Sequence, residues 1–540
     1  MPTQLSQSNI PLKPFYTPDD TCGLDYATTL QDPGAYPYTR GRRVGAAPGG
    51  TWIQRELSGE GPPSRSNAQF RYLIDKGALG LDVIGDAPTV ACLDPDHPFA
   101  RHAVGTQGVS LCRLQDYAEL YDSIPLERVT LSHSLPAAFA IAGLYRVAET
   151  RGIDPAVLRG SVIQAPFYCE DYGYATHMPF ALRMRLALDS IAFCTTAMPK
   201  FHAFVEDTYY ISDGGPDAVE EMALGFVELR HLVRKLLEGG LAIDSFAPRI
   251  AILVNCRMDV FEEVAKIRAT RRLFARMMRE EFGARDPRSW SANITAHTAG
   301  SSLTAQQPIN NVVRGTIQAL ALAMAGVQAM EISAFDEAFR TPSPAAHLVG
   351  LRTQQVVQLE SNVTTVADPL GGSYYVESLT NEIERRIREM VTHIEAQGEP
   401  ATLCDQGWFR RVFEAAMQRN ARAIQDGTLP RVGVNVFQMP ADQDTLLREV
   451  AETKIEPCRE HVAHIAAFKQ ARDARLVRHA LRTVHATAKA PGANVMPAIV
   501  AALDAGTTMG EIAGALRVAY GVAYDPFGAL PPVCSFDGAA

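Results

Sequence analysis

The sequence predicts an α/β protein built as a parallel (β/α)8 barrel, the TIM-barrel architecture. Three observations predict it. From about residue 78 onward, short apolar runs alternate with amphipathic stretches at spacings of roughly 30 to 50 residues. There are eight such runs, and helical stretches between them make successive strands parallel. At 540 residues the chain is too long for one compact core, which suits a barrel carrying large additions. A doubly wound sheet fits the same alternation.

The elements follow in chain order. Residues 1–40 carry Pro11, Pro14, Pro18, Pro33 and Pro37 with little periodicity, and are expected to form an extended N-terminal arm. Gly45-Ala46-Ala47-Pro48-Gly49-Gly50 opens no helix and reads as a flexible turn. The barrel is expected over 41–400, with strands Gly80–Gly85, Val129–His133, Ser161–Ala165, Ala203–Glu206, Ile250–Val254, Ala292–Ala296, Val327–Ile332 and Asn362–Val366. Between them lie helical stretches such as Ala137–Thr150, Ala181–Ala197, Ala218–Glu238 and Ala305–Ala325. Met258 onward reads as an amphipathic helix with Val260, Phe261, Val264, Ile267 and Leu273 on one stripe. Residues 401–540 read as a helical C-terminal region: Leu403–Gln425, Ala441–Gln470, Ala471–Lys489, Val495–Asp504 and Met509–Tyr520.

Two of the strands are unusually polar. Val129-Thr130-Leu131-Ser132-His133-Ser134 and Asn293-Ile294-Thr295-Ala296-His297-Thr298 put hydroxyls where an ordinary barrel packs bulky Val, Ile and Leu. A solvent-facing strand edge would also explain them.

Composition narrows the function. Hydrophobic content of 47% with 21% charged residues is that of a globular protein, and a net charge of −9 argues against nucleic acid as the main partner. No basic n-region, apolar leader or membrane-length run is present, so a cytoplasmic protein without membrane contact is expected. The nine cysteines stand singly, which reads as reduced buried thiols and not as a metal site. His133, His177, His202 and His297 have no Ser or Cys at a nucleophile-elbow spacing, and no glycine-rich phosphate loop follows a strand. Familiar polar catalysis is therefore missing, as expected where a cofactor carries the hard step.

Several segments carry a resemblance. Phe246-Ala247-Pro248-Arg249 runs through Glu263-Val264-Ala265-Lys266 to Arg271-Arg272-Leu273. Ser302-Leu303-Thr304-Ala305-Gln306 precedes Asn310-Asn311-Val312-Val313-Arg314, and Phe335-Asp336-Glu337-Ala338 precedes Ala367-Asp368-Pro369-Leu370-Gly371-Gly372-Ser373-Tyr374. Asn494-Val495-Met496-Pro497 with Met509-Gly510-Glu511-Ile512 resembles the linker that closes a catalytic chain. Over roughly residues 35–525 the sequence resembles the adenosylcobalamin-dependent acyl-CoA mutases, the methylmalonyl-CoA mutase family. The resemblance implies a barrel whose small hydrophilic interior threads the pantetheine arm of coenzyme A. It also implies a radical 1,2-rearrangement of an acyl-CoA.

The resemblance also assigns residues. Glu337, with Ala338 and Asp213, is implied on the cofactor side. Arg55 and Arg249 match basic coenzyme A positions, Gln328 an amide contact to the thioester arm, and Gln164 a substrate-facing amide. Tyr210 takes the place of the histidine that donates to the thioester carbonyl. Near Tyr174 the family has the arginine that clamps the free carboxylate of methylmalonyl-CoA, and at Leu57 the tyrosine that wedges the adenosyl group. Asn293 and His297 replace a basic and an amide residue, and Ser301 replaces a tryptophan. Tyrosine cannot form the bidentate pair that arginine gives a carboxylate. A neutral or hydroxylated acyl group is thus expected in place of methylmalonyl-CoA. His297, one polar strand away, is the rival donor to Tyr210.

The chain has no D-x-H-x-x-G segment, and only about twenty residues follow Tyr520. Adenosylcobalamin is therefore expected to be held mainly by a separate small subunit, in a heterodimer or heterotetramer. Two further readings stay open: a non-catalytic homologue serving as a binding or assembly subunit, which the changes at Leu57, Tyr174 and Tyr210 motivate, and a mutase acting on a substrate not attached to coenzyme A.

Overall fold

A computed structural model describes residues 4–43, 52–171, 175–452 and 455–536. The Gly45–Gly50 turn and Tyr174 lie outside the described residues. Eight parallel strands close into a barrel: β1 (Ile53–Ser58), β2 (Gly80–Ile84), β3 (Thr130–Ser134), β4 (Gly160–Gln164), β5 (Phe201–Asp207), β6 (Ile250–Cys256), β7 (Asn293–Thr298) and β8 (Ala329–Glu331). Neighbours run in chain order, with β8 returning to β1. The α/β barrel expected from the alternation is the fold.

One strand differs from expectation. Asn362–Val366 is a run of bends and turns with Val366 exposed, whereas Ile53–Ser58 supplies the missing strand. Its charged Arg55 and Glu56 hid it from a hydrophobicity pattern, yet both are buried. Elsewhere the apolar pattern marked the right places. β6 is buried at every position, and Val260–Arg276 begins at an Asp259 cap that accepts from the Glu262 amide. Ala218–Glu238 occupies the range read from sequence, opened by an Asp217–Glu220 capping box. Phe261, expected on the buried stripe, is instead 43% exposed.

The chain divides into two compact units, Met1–Glu56 with Glu206–Thr453, and Leu57–Val205 with Lys454–Ala540. In the first, the arm forms a two-stranded pairing of Gln4–Leu5 with Pro11–Leu12, then short turns of helix at Pro18–Thr21 and Tyr26–Leu30. Beyond residue 400 this unit continues with Pro400–Asp405 and Trp408–Gln425, split at Gly407, whose positive φ of 63° ends the first helix. In the second, Arg459–Ala471, Ala474–Lys489, Met496–Asp504 and Met509–Ala519 follow. Lys469 pairs with the buried Asp94, which also accepts from the Thr508 hydroxyl and the Gly510 amide.

Strand alternation decides which side chains face the barrel axis. Gln54 and Glu56 bond to Gln358 and Gln354 on the covering helix Pro344–Leu359, so Arg55 and Leu57 point inward. Cys256 reaches the Gln318 carbonyl of the helix Asn310–Ala325, so Asn255 points inward. Register then carries the assignment to His297 and Glu331. In the other unit, His133 bonds outward to the Tyr121 hydroxyl, leaving Thr130, Ser132 and Ser134 inside. Ser161 joins them through a 3.0 Å hydroxyl–hydroxyl bond to Ser132, and Asp82 is in register with Ser132. The polar strands are therefore interior, not a solvent-facing edge.

Candidate active site

Four side chains stand in one row across adjacent strands. Cα register pairs Arg55 with Glu331, Glu331 with His297, and His297 with Asn255. All four are buried, Glu331 to 2% exposure. Nδ1 of His297 lies 3.7 Å from Oε2 of Glu331, wider than a hydrogen bond. On its other side the imidazole meets the Tyr209 ring edge-on, centroids 5.0 Å apart.

Beyond the C-terminal ends of these strands the polarity turns acidic. Asn255 Nδ2 donates to Asp213 Oδ1 at 2.8 Å, and the Ser301 hydroxyl donates to the same oxygen at 2.7 Å. Asp213 ends the short helix Thr208–Asp213, which Asp207 caps by accepting from the Tyr210 amide. Tyr209 is buried there; its oxygen accepts from the Gly300 amide at 3.4 Å, which leaves its own proton to give. Burial, then Asp213, Glu337 and Glu331, hold that phenol far above its usual range, so it stays protonated. The loop after β8 brings in Glu337, whose carboxylate accepts from the Ala334 amide. Although the residue keeps some surface, its carboxylate is enclosed. Desolvation, with Asp213 and Asp336 adding repulsion, pushes it up to about 7.

At the N-terminal ends of β6 and β7 the polarity is basic. Arg42 donates from Nε to Ser291 Oγ (2.8 Å) and from Nη1 to Asn293 Oδ1 (2.9 Å). Burial, with the nearby Arg43 and Arg249 charges, brings its guanidinium down to about 10. Arg249 sits half-buried in the turn that enters β6. Three cations at one end of a polar-lined barrel make a place for a polyanion.

The residues expected from sequence thus fall into three levels. Arg249 and Asn293 sit at the basic end, with Arg55 and His297 in the middle row. Tyr210, Asp213, Glu337 and the exposed Ala338 lie at the acidic end. Tyr210 is half-buried, its ring edge-on to Tyr209 at 5.1 Å. Leu57 follows Arg55 on the inner side of β1, half-buried. Two amides are occupied elsewhere. Gln164 Nε2 donates to Ser190 Oγ on the covering helix Phe180–Ala197 and to the Ala203 carbonyl, so it faces outward, and Ile163 takes the inner position. Gln328 spends its amide on the backbone, accepting from Ile294 N and donating to Gly326 O. Sequence reading missed Glu331, Asn255, Tyr209 and Arg42. The available signal was a polar letter at an inward position of an otherwise apolar strand, as in Ile250–Cys256.

The candidate site is thus a barrel interior with a basic end, a polar middle and an acidic far end. The family profile described as methylmalonyl-CoA mutase matches residues 5–522, and the chain belongs to that family, whose members are isomerases of the intramolecular-transferase type. Among its relatives is the 2-hydroxyisobutanoyl-CoA mutase large subunit of Aquincola tertiaricarbonis, 34% identical over 95% of this chain and 91% of that protein. Methylmalonyl-CoA mutase of Escherichia coli is 33% identical, covering 95% and 71% respectively. The methylmalonyl-CoA mutase large subunit of Streptomyces virginiae is 34% identical, covering 95% and 70%. Among the described residues, no helix is long and apolar enough to cross a membrane.

The family implies adenosylcobalamin, and the acidic end fits its sugar. Ribose hydroxyls are donors, and Glu337 is an enclosed acceptor repelled by Asp213, a strain that a donor relieves.

Proposed function

We propose that this chain is the catalytic large subunit of an adenosylcobalamin-dependent acyl-CoA mutase that rearranges an acyl group without a free carboxylate. A separate small subunit supplies the cobalamin. The observation that carries the reading is the buried Arg55–Glu331–His297–Asn255 row between a basic and an acidic end. The large-subunit relative that takes a hydroxylated acyl-CoA supports both the partner and the substrate class.

Arg42, Arg43 and Arg249 receive the coenzyme A phosphates, and the inward Asn293 and Thr295 flank the pantetheine arm. The thioester then lies at the level of the row. Tyr209 and Tyr210, with His297, are the hydrogen-bond donors for its carbonyl oxygen, where partial negative charge gathers during the rearrangement. Glu337 and Asp213 hold the ribose, and the enclosing strands keep water from the reacting carbons. When bound, adenosylcobalamin supplies the radical that starts the migration.

The test is reconstitution of the chain with adenosylcobalamin and a small cobalamin-binding subunit, followed by a survey of acyl-CoAs for isomerised product. Turnover of a neutral or hydroxylated acyl-CoA, with methylmalonyl-CoA far slower, supports the proposal. Methylmalonyl-CoA turning over as fast as the best substrate refutes the substrate class, and no isomerisation of any acyl-CoA refutes the activity.

A further inference from the structure

The row described above contains two residues, Asn255 and Glu331, that no expectation from sequence accounts for, and only Glu331 is charged. Glu331 ends β8 and points at the barrel axis with 2% of its surface exposed. Its in-register neighbours are Arg55 on β1 and His297 on β7. Two members away, Asn255 donates to Asp213 at 2.8 Å. The row is therefore the interior layer nearest the acidic end, where the acyl portion of a thioester must lie to meet the reacting centre. On β6, β7 and β8 the inner positions nearer the basic end hold only neutral groups: Asn293 and Thr295 on β7, Ala251 and Leu253 on β6, and Ala329 on β8. A carboxylate is costly to bury, and a coenzyme A arm has no cation to answer it. What a carboxylate can do for a bound acyl group is accept a hydrogen bond. Arg55 is in register with Glu331 on the neighbouring strand, so a substrate carboxylate in this layer meets the Glu331 charge as well as the guanidinium.

We propose that Glu331 is the specificity-determining residue of the acyl subsite. It accepts a hydrogen bond from a hydroxyl on the acyl group and turns away acyl groups that end in a carboxylate. His297, 3.7 Å from Glu331 and braced by the Tyr209 ring, keeps the carboxylate aimed across the axis. A donor on the acyl group stabilises Glu331, an unsubstituted acyl group leaves it desolvated without a new partner, and a second carboxylate meets like charge at short range. This rests on the acyl-CoA reading above.

The test needs no cofactor or partner subunit. Calorimetric titration of the purified chain uses free coenzyme A, butyryl-CoA, 2-hydroxybutyryl-CoA, 3-hydroxybutyryl-CoA and succinyl-CoA. In the wild type, one hydroxylated thioester binds roughly tenfold more tightly than butyryl-CoA, as one charge-assisted hydrogen bond allows, and succinyl-CoA binds most weakly. Glu331→Ala abolishes the hydroxyl preference. Glu331→Gln, which keeps the shape and an acceptor but no charge, retains part of that preference and gains succinyl-CoA binding. Free coenzyme A binds all three proteins equally. Should Glu331→Ala fail to fold, the succinyl-CoA arm of the isosteric Glu331→Gln variant decides. A hydroxyl preference unchanged in Glu331→Ala, or succinyl-CoA binding unchanged in Glu331→Gln, overturns the assignment of Glu331 alone. Failure of free coenzyme A and every thioester to bind the wild type overturns the acyl-CoA reading and this inference with it.

Discussion

Buried charge lies on both sides of the barrel wall at β6, and the two sides are built differently. Outside, Lys266 is wholly buried; its ammonium donates to Glu221 (2.8 Å) and the Asn255 carbonyl (2.7 Å) and is ion-paired with Glu263 (2.6 Å). Two carboxylates and a carbonyl thus surround one ammonium. Inside, His297 and Glu331 stand 3.7 Å apart, beyond hydrogen-bond length. Burial of charge is thus no mark of function by itself. The outer cluster lies between the strand and its covering helices and holds the strand end in place, whereas the inner row lines the barrel axis. The two are linked at Asn255, whose backbone the outer cluster fixes and whose side chain holds Asp213.

Breaking the outer cluster gives the largest expected effect. Lys266→Met leaves two buried carboxylates without their cation and costs about 3–5 kcal/mol in urea unfolding. An unchanged midpoint would mean the cluster does not hold the framework. Replacing Glu221, Glu263 and Lys266 together by apolar residues of similar size restores much of the loss, since it is the uncompensated charge that destabilises.

A second carboxylate of the same helix sharpens the comparison through pH. Glu262 accepts from the Ser8 amide and hydroxyl, yet burial outweighs these bonds and lifts it to about 7. A raised folded-state value makes its stabilising contribution full below the unfolded value of 4.5 and lost as pH rises through 7. The shift corresponds to about 3 kcal/mol. From pH 4.5 to 8, urea unfolding of the wild type should therefore lose more stability than that of Glu262→Gln, by about that amount in total. Parallel curves would show that the carboxyl titrates normally.

On the inner side, Tyr209→Phe removes a donor and keeps the ring against His297. Turnover of the reconstituted enzyme should fall by about a hundredfold, as on loss of one preorganised donor, and Tyr210→Phe by about tenfold. The reverse order would return the donor role to the half-buried Tyr210. The smallest effect is at the acidic end. Because Glu337 titrates near 7, adenosylcobalamin affinity of the complex should rise about tenfold between pH 6 and 8, and Glu337→Gln should flatten that rise. Equilibrium binding followed by cobalamin absorbance measures it.

Where the barrel runs was legible because apolar strands and amphipathic helices differ in period, as β6 and Ala218–Glu238 illustrate. β1 was not, since Arg55 and Glu56 look like solvated charges until their partners on neighbouring elements are known. The helix Val260–Arg276 shows the same limit: Arg268, Arg271 and Arg272 are buried, and only tertiary partners such as Glu377 and Glu384 make that affordable. Gln164 marks a third limit. Side chains alternate along a strand, so a shift of one position exchanges the channel for the helix layer, and sequence alone did not fix that parity. The row itself could not be seen in advance, because it exists only in the register of β1, β8, β7 and β6.

A crystal structure of the chain with a hydroxyacyl-CoA bound tests the central claim most directly. The account predicts phosphates beside Arg42 and Arg249, the pantetheine arm along the barrel axis, and the acyl hydroxyl within hydrogen-bond distance of Glu331. A thioester lying outside the barrel, or an acyl group whose hydroxyl points away from Glu331, would contradict it.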